Sequence, residues 1–82
     1  GIRVINNTKN ATLTHLEIDS CLINNIAHTG IKFTAYKQNY GIQNIKVSNS
    51  QVLETGGPGI QMSGVKNGHI FNNNVEMLEA KV

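Results

Sequence analysis

A four-residue stretch returns at a fixed interval along this chain. Gly1-Ile2-Arg3-Val4, Gly30-Ile31-Lys32-Phe33 and Gly59-Ile60-Gln61-Met62 each read glycine, isoleucine, a polar residue and an apolar residue, and their glycines stand 29 residues apart with no gap. Self-similarity at a fixed period of this size marks a repeat architecture. Polarity alternates inside each copy, as in a strand with one face buried. The same strand therefore recurs once per turn of a larger object.

The register runs beyond those strands. Leu13 matches Ile42, Leu16 matches Ile45, Ile18 matches Val47 and Ile23 matches Val52. In the third copy Val65, Gly68, Ile70 and Val75 take these places, with a step of 23 in place of 29. The shorter step is assigned to one loop, long at residues 34–40 and tight at Ser63-Gly64. Solenoid repeats accept insertions in this way. Apolar runs are two to four residues long, broken by Asn, Gly, Ser and Thr, and none shows helical spacing over three turns. The reading is an all-β chain, a β-solenoid of about three strands per turn. It forms one segment, with turns at approximately 1–29, 30–58 and 59–82.

Stacking predicts columns of like residues, because parallel strands of successive turns lie about 4.8 Å apart. Ile2, Ile31 and Ile60 form one apolar column, and Val4, Phe33 and Met62 another, inward or at a corner. Leu13, Leu16, Ile18, Ile23 and Ile26 are further candidates for the interior. Ser20, Asn49 and Asn72 stack at one corner beside Cys21, Ser50 and Asn73, where Asn amides are expected to pass hydrogen bonds from turn to turn. Residues 54–59, with three Gly and a Pro in consecutive positions, specify a tight bend.

The chain begins inside a repeat strand and ends within another turn, and no capping repeat is visible. This predicts a segment of a longer solenoid, with the remainder of the parent stacked on both ends. A formal net charge of +2 from scattered basic residues gives no footprint for nucleic acid. No apolar run is long enough for a membrane span. Cys21 is the single cysteine, so no disulfide forms within the chain. Asn6-Asn7-Thr8 and Asn10-Ala11-Thr12 fit the glycosylation acceptor pattern, which an Asn-rich chain also produces by chance.

Gly30-Ile31-Lys32-Phe33, Ile45-Lys46-Val47-Ser48-Asn49-Ser50 and Gly59-Ile60-Gln61-Met62 resemble turns of the right-handed parallel β-helix, the pectate-lyase-like superfamily. The stretch 54–75, with its Gly-rich corner and Asn72-Asn73-Asn74-Val75, is similar to secreted β-helix proteins of polysaccharide-degrading bacteria. The resemblance implies a right-handed helix and a secreted or periplasmic, carbohydrate-active parent, of polysaccharide lyase or glycoside hydrolase type. The alternative is a non-catalytic structural, adhesive or glycan-binding solenoid. Either way the implied partner is a polysaccharide or oligosaccharide, with no cofactor. The acidic clusters of the family's hydrolases and calcium-dependent lyases have no counterpart here.

Among candidate site residues, Arg3, Lys32 and Gln61 share one outward position of the recurring strand. They form a polar row for binding substrate, with the basic pair facing uronate carboxylates. His28, at the loop entering that strand, is the candidate acid–base residue. Glu17 and Asp19 lie two residues apart on one outward strand face, the carboxylate pair that glycoside hydrolysis would need. His15, His28 and His69 fall at three different repeat positions, which predicts no metal site. Tyr36 and Tyr40 flank the long loop, placed either to stack on sugar rings or to pack the loop down.

Overall fold

A computed structural model describes residues 1–36 and 40–78. Among them are nine strands: β1 (Ile2–Asn6), β2 (Leu13–Asp19), β3 (Leu22–Ile26), β4 (Ile31–Ala35), β5 (Ile42–Ser48), β6 (Gln51–Thr55), β7 (Ile60–Ser63), β8 (Val65–Phe71) and β9 (Asn74–Met77). They form three parallel sheets, ordered β1-β4-β7, β2-β5-β8 and β3-β6-β9. The chain thus visits each sheet in turn and comes back one rung higher, a stacked, solenoid-like arrangement.

The strand register is the one the repeat predicts. Ile31 lies between Ile2 and Ile60, Ile45 between Leu16 and Gly68, Val47 between Ile18 and Ile70, and Val52 between Ile23 and Val75. The six-residue difference falls between the pair Thr34–Ser63 and the pair Ile42–Val65. The insertion is narrower than the sequence suggests. Thr34 and Ala35 belong to β4, and Ala35 is buried. The middle of the expected loop, residues 37–39, lies outside the described residues.

Burial follows rung position. In the second rung Ile31, Phe33, Ile42, Ile45, Val47 and Val52 are wholly shielded from solvent. Each has a rung on both sides, and full burial of such a side chain stabilises by roughly 1.5–3 kcal/mol. In the first rung Leu16 and Ile18 are half-buried and Leu13 is 39% exposed. In the third, Ile60 is half-buried, and Ile70 and Val75 are 49% and 43% exposed. Leu13, Ile70 and Val75 occupy core rows but have a neighbouring rung on one side only. The two apolar columns of the recurring strand share one inward face, since Ile31 and Phe33 are both buried.

A left-handed residue inside the strands resolves a spacing that simple alternation does not allow. Leu13 and Leu16, or Ile42 and Ile45, stand three apart, yet both members of each pair face the core rows. Between them His15, Asn44 and Asn67 have φ near +60°, and the strand pairing skips them. A kinked residue uses up one position and returns the next side chain to the interior. Ser20, Asn49 and Asn72 form a second such row, and Asn25 with Glu54 a third. Asn populates this backbone region more readily than most residues. The third rung lacks a residue equivalent to Glu54, and the pairing of β6 with β9 is irregular there.

Among the described residues every buried side-chain nitrogen and oxygen has a hydrogen-bond partner. Asn6 is 4% exposed. Its amide donates to the carbonyls of Ala11 at 2.8 Å and Gly41 at 2.9 Å, and its Oδ1 accepts from the Thr8 amide at 3.0 Å. It therefore ties down the 7–12 connection and is closed to glycosylation, whereas Asn10 is exposed. At the corner after Val47 the stacked Ser50 and Asn73 side chains bond to backbone rather than to each other, while Ser20 and Asn49 bond to the Asp19 carboxylate. Ser50 Oγ accepts from the Cys21 amide at 3.1 Å, Asn73 Oδ1 accepts from the Ser50 amide at 2.9 Å, and Asn73 Nδ2 donates to the Val47 carbonyl at 2.9 Å. The amide-to-amide link expected at that corner occurs instead in the kink row, where Asn67 Nδ2 donates to Asn44 Oδ1 at 3.1 Å.

The recurring glycine is required by close approach. Gly30 sits between the Gly1 and Gly59 rungs: its carbonyl accepts from the Ile2 amide at 2.9 Å and its own amide donates to Pro58 at 3.1 Å. A Cβ on Gly30 would collide with Val52 Cγ1 and lie 2.7 Å from the Gly59 carbonyl oxygen, whereas on Gly57 its nearest neighbour is 3.3 Å away. Gly30→Ala is therefore expected to destabilise by about 2–3 kcal/mol, within the overpacking range, and Gly57→Ala to change stability by less than about 1 kcal/mol. Ile45→Asp, which buries an unpaired charge, should cost more than about 4 kcal/mol and abolish the folded state. Urea unfolding followed by far-UV circular dichroism ranks the three. Equal effects of Gly30→Ala and Gly57→Ala would remove the packing explanation.

Candidate functional site

The outward face of sheet β1-β4-β7 carries the polar row. Arg3 pairs with Lys32 and Lys32 with Gln61, so the three side chains follow one another at about 4.8 Å per rung. Arg3 and Gln61 are exposed and Lys32 is half-buried. Alternation puts them outside because Ile31 and Phe33 on either side of Lys32 face the core.

His28 lies beside this row. The segment 27–29 leads from β3 into β4, and the glycine-rich corner of the next rung holds its backbone. Gly56 donates to the Ile26 carbonyl at 2.8 Å and Gly57 to the His28 carbonyl at 3.0 Å. Gly56 also approaches the Ala27 carbonyl too closely for any side chain. Thr55, fully buried, donates from Oγ1 to the Gly57 carbonyl at 2.8 Å and braces the corner from inside. Arg3, Lys32 and His28, with Asn25 and Thr29, line one open cleft of about 770 Å³. Gln61 continues the row one rung beyond it. Three of the residues singled out from the sequence are thus brought to one surface, two cations and an imidazole.

Glu17 and Asp19 lie elsewhere, on sheet β2-β5-β8. Both are exposed on the same strand face, as alternation requires. Their surroundings differ. Asp19 Oδ1 accepts from Ser48 Oγ at 3.0 Å and Asn49 Nδ2 at 2.8 Å, and Oδ2 accepts from Ser20 Oγ at 3.0 Å. These bonds, Asn49's first, hold the carboxyl below the ordinary aspartate range, against a smaller opposing effect of desolvation. An acid so held is ionised near neutrality and does not supply a proton. It serves instead as a clasp between the first and second rungs.

Glu17 faces a second concavity of about 340 Å³ with His15, Asn44, Lys46 and His69. Glu17, Lys46 and His69 are one register row. His15 joins them from the adjacent kink row, so two of the histidines that look scattered along the sequence share one hollow. A chain of hydrogen bonds ends at this ring: Asn67 to Asn44, Asn44 Nδ2 to Thr14 Oγ1 at 3.3 Å, and Thr14 Oγ1 to His15 Nδ1 at 3.0 Å. The grouping was missed because the repeat alignment compares positions along one column and not across neighbouring columns. Among the described residues no three His, Cys, Asp or Glu side chains are placed to hold a metal ion. Tyr40 is exposed and left-handed, and Tyr36 is half-buried.

Comparison of the chain with protein-family models, with curated proteins and with solved structures found no match.

Asp19 gives a direct check on the clasp. Its folded-state pKa is depressed, so its contribution to stability is present above the unfolded value near 3.9 and is lost as pH falls through the folded value. Carbon-detected NMR titration should place the Asp19 carboxyl midpoint below that of free aspartate. Asn49→Ala should move it back toward the ordinary range, because it removes the largest single cause. A midpoint that stays put in this variant would mean that the Asn49 bond does not form in solution.

Proposed function

We propose that this chain is a stretch of right-handed parallel β-helix of the pectate-lyase-like kind, from a secreted or periplasmic carbohydrate-active protein, and that it binds an anionic polysaccharide along the outward face of sheet β1-β4-β7. The observation that carries the reading is the row Arg3–Lys32–Gln61, in register on successive rungs and bordered by His28 across one cleft. Two cations a rung apart repel each other, and the half-burial of Lys32 weakens the screening of that repulsion by water. A uronate carboxylate between them relieves the repulsion and accepts hydrogen bonds from both, and Arg3 presents the fork that suits a carboxylate. Gln61 offers a neutral donor and acceptor to the next hydroxyl along the chain.

The reading is of binding rather than turnover. Asp19 is committed to three donors, two of them on the next rung. Glu17 faces a different hollow from His28. The two carboxylate candidates therefore do not join His28 beside the basic row. If the parent is a lyase or a hydrolase, this segment supplies a subsite for the polymer and its acid–base pair comes from other turns.

Titration of oligogalacturonides against the protein by calorimetry tests the proposal. Lys32→Ala is expected to weaken binding by about 1–2 kcal/mol, roughly 5- to 30-fold, as for loss of a hydrogen bond to a charged group. Gln61→Ala should weaken it less. Affinity should fall between low and physiological salt in the parent sequence, and fall less in Lys32→Ala. Unchanged affinity in Lys32→Ala, with no salt dependence in either protein, would remove this face as the binding surface.

A further inference from the structure

The hollow on sheet β2-β5-β8 takes no part in the binding face described above. It crosses all three rungs. Glu17, Lys46 and His69 follow one another in register at about 4.8 Å per step, and His15 and Asn44 line it from the adjacent kink row. All of these side chains are exposed. Asn44 and Lys46, at its middle, have a rung on each side. Turns of a solenoid stack along its axis, so additional ones would lengthen these rows without covering them. We propose that this hollow is a second saccharide site, one that takes a neutral glycosyl unit through its hydroxyl groups.

Charge selects the class of ligand. Glu17 and Lys46 carry opposite charges at paired positions of neighbouring strands, where such side chains attract each other. Among the described residues, however, the side chains of Glu17, Lys46 and His69 make no hydrogen bond or ion pair. Their polar ends are open to a ligand. An anion would meet the Glu17 carboxylate and a cation would meet the Lys46 ammonium, so the hollow disfavours net charge of either sign. A hydroxyl both donates and accepts. One hydroxyl of a sugar donates to Glu17, which only accepts, while its neighbour on the ring accepts from Lys46, which only donates. Hydrogen bonds to ionised groups of this kind are the stronger ones. The hollow, about 340 Å³, lies at the small end of the range for ligand sites, which suits one or two pyranose rings.

The hydrogen-bond chain fixes the opposite wall. Asn67 Nδ2 donates to Asn44 Oδ1 at 3.1 Å, Asn44 Nδ2 donates to Thr14 Oγ1 at 3.3 Å, and Thr14 Oγ1 shares a hydrogen bond of 3.0 Å with His15 Nδ1. With Nδ1 occupied, Nε2 is the ring nitrogen left for a ligand. The kinked backbone of His15, with φ at 61°, and the bond to Thr14 hold the ring from both ends. Ordering it in advance reduces the entropy lost on binding. The site differs from the basic row in sheet, in charge and in ligand, and it does not depend on that row binding an anion.

Maltotriose, a neutral trisaccharide, is the probe. Titrated into the isotope-labelled protein, it should give saturable NMR shifts at residues 15–17, 44–46 and 67–69, with a Kd on the order of 1 mM, and none at Lys32 or Gln61. Trigalacturonate, an anionic trisaccharide, should bind this hollow roughly fivefold more weakly or worse, because it meets Glu17. Glu17→Gln and Lys46→Gln each keep a polar side chain while removing its charge. Each should weaken maltotriose binding by roughly fivefold or more, as for loss of a hydrogen bond to a charged group. Both positions are exposed, and amide spectra away from the hollow report that each variant is folded. No saturable shift in the hollow, shifts confined to another face, undiminished binding in both variants, or equal binding of trigalacturonate at the hollow would each overturn the proposal.

Discussion

The fold rests on each rung being covered by another like it. A single turn of this chain has no core: its inward Ile, Val and Phe side chains form a thin layer that needs apolar surface above and below. The second rung has both, and six of its apolar side chains are sealed from water. The first and third rungs have one neighbour each, and apart from the buried Ile23 their row-mates in the same positions are half-buried or exposed. Stability in such a stack is set by nearest-neighbour contacts and not by a centre common to the whole chain. That explains why all the buried core residues but Ile23 share one rung and why the two outer rungs carry the apolar surface that remains.

The polar residues answer a second constraint, which is that the chain must change direction several times per rung without stranding backbone groups. Left-handed residues make the changes of direction, mostly Asn, at rows repeated from rung to rung. Side chains then satisfy the groups that the kinks release. Ser50 and Asn73 reach neighbouring backbone, Asn6 holds the 7–12 connection, and Asp19 clasps Ser48 and Asn49. Among the described residues no buried side-chain nitrogen or oxygen is left without a partner. The composition that makes the chain look irregular is what lets its turns be regular.

These two constraints divide the surface between them. Because the inward positions are fixed by stacking, the outward ones form rows with a set spacing, and a charge placed once per repeat becomes a ladder. Arg3, Lys32 and Gln61 form one ladder next to His28, and Glu17, Lys46 and His69 form another next to His15. A rigid, periodic row of donors suits a periodic ligand, which is the physical basis for reading the first ladder as a subsite for a polymer. The second ladder mixes charges of both signs and carries no such preference.

The sequence by itself determined the repeat, its parallel register and the pairs that stack, because like residues recur 29 positions apart and a one-residue slip would turn every inward side chain outward. It also determined which side chains form the row Arg3–Lys32–Gln61, since a row is a single column of the repeat. The depth of burial was not legible in it. Leu13 and Ile42 occupy equivalent positions with similar side chains, and only the number of covering rungs separates 39% exposure from none. Nor were the in-strand kinks legible as kinks, although Asn25, Asn44 and Asn67 mark them, since Asn also serves in ordinary turns. The meeting of His15 with Glu17 and His69, and of His28 with Arg3 and Lys32, was decided by tertiary structure alone. Those groupings run across columns and around corners, where the separation depends on how far each kink turns the chain, a quantity no repeat alignment contains.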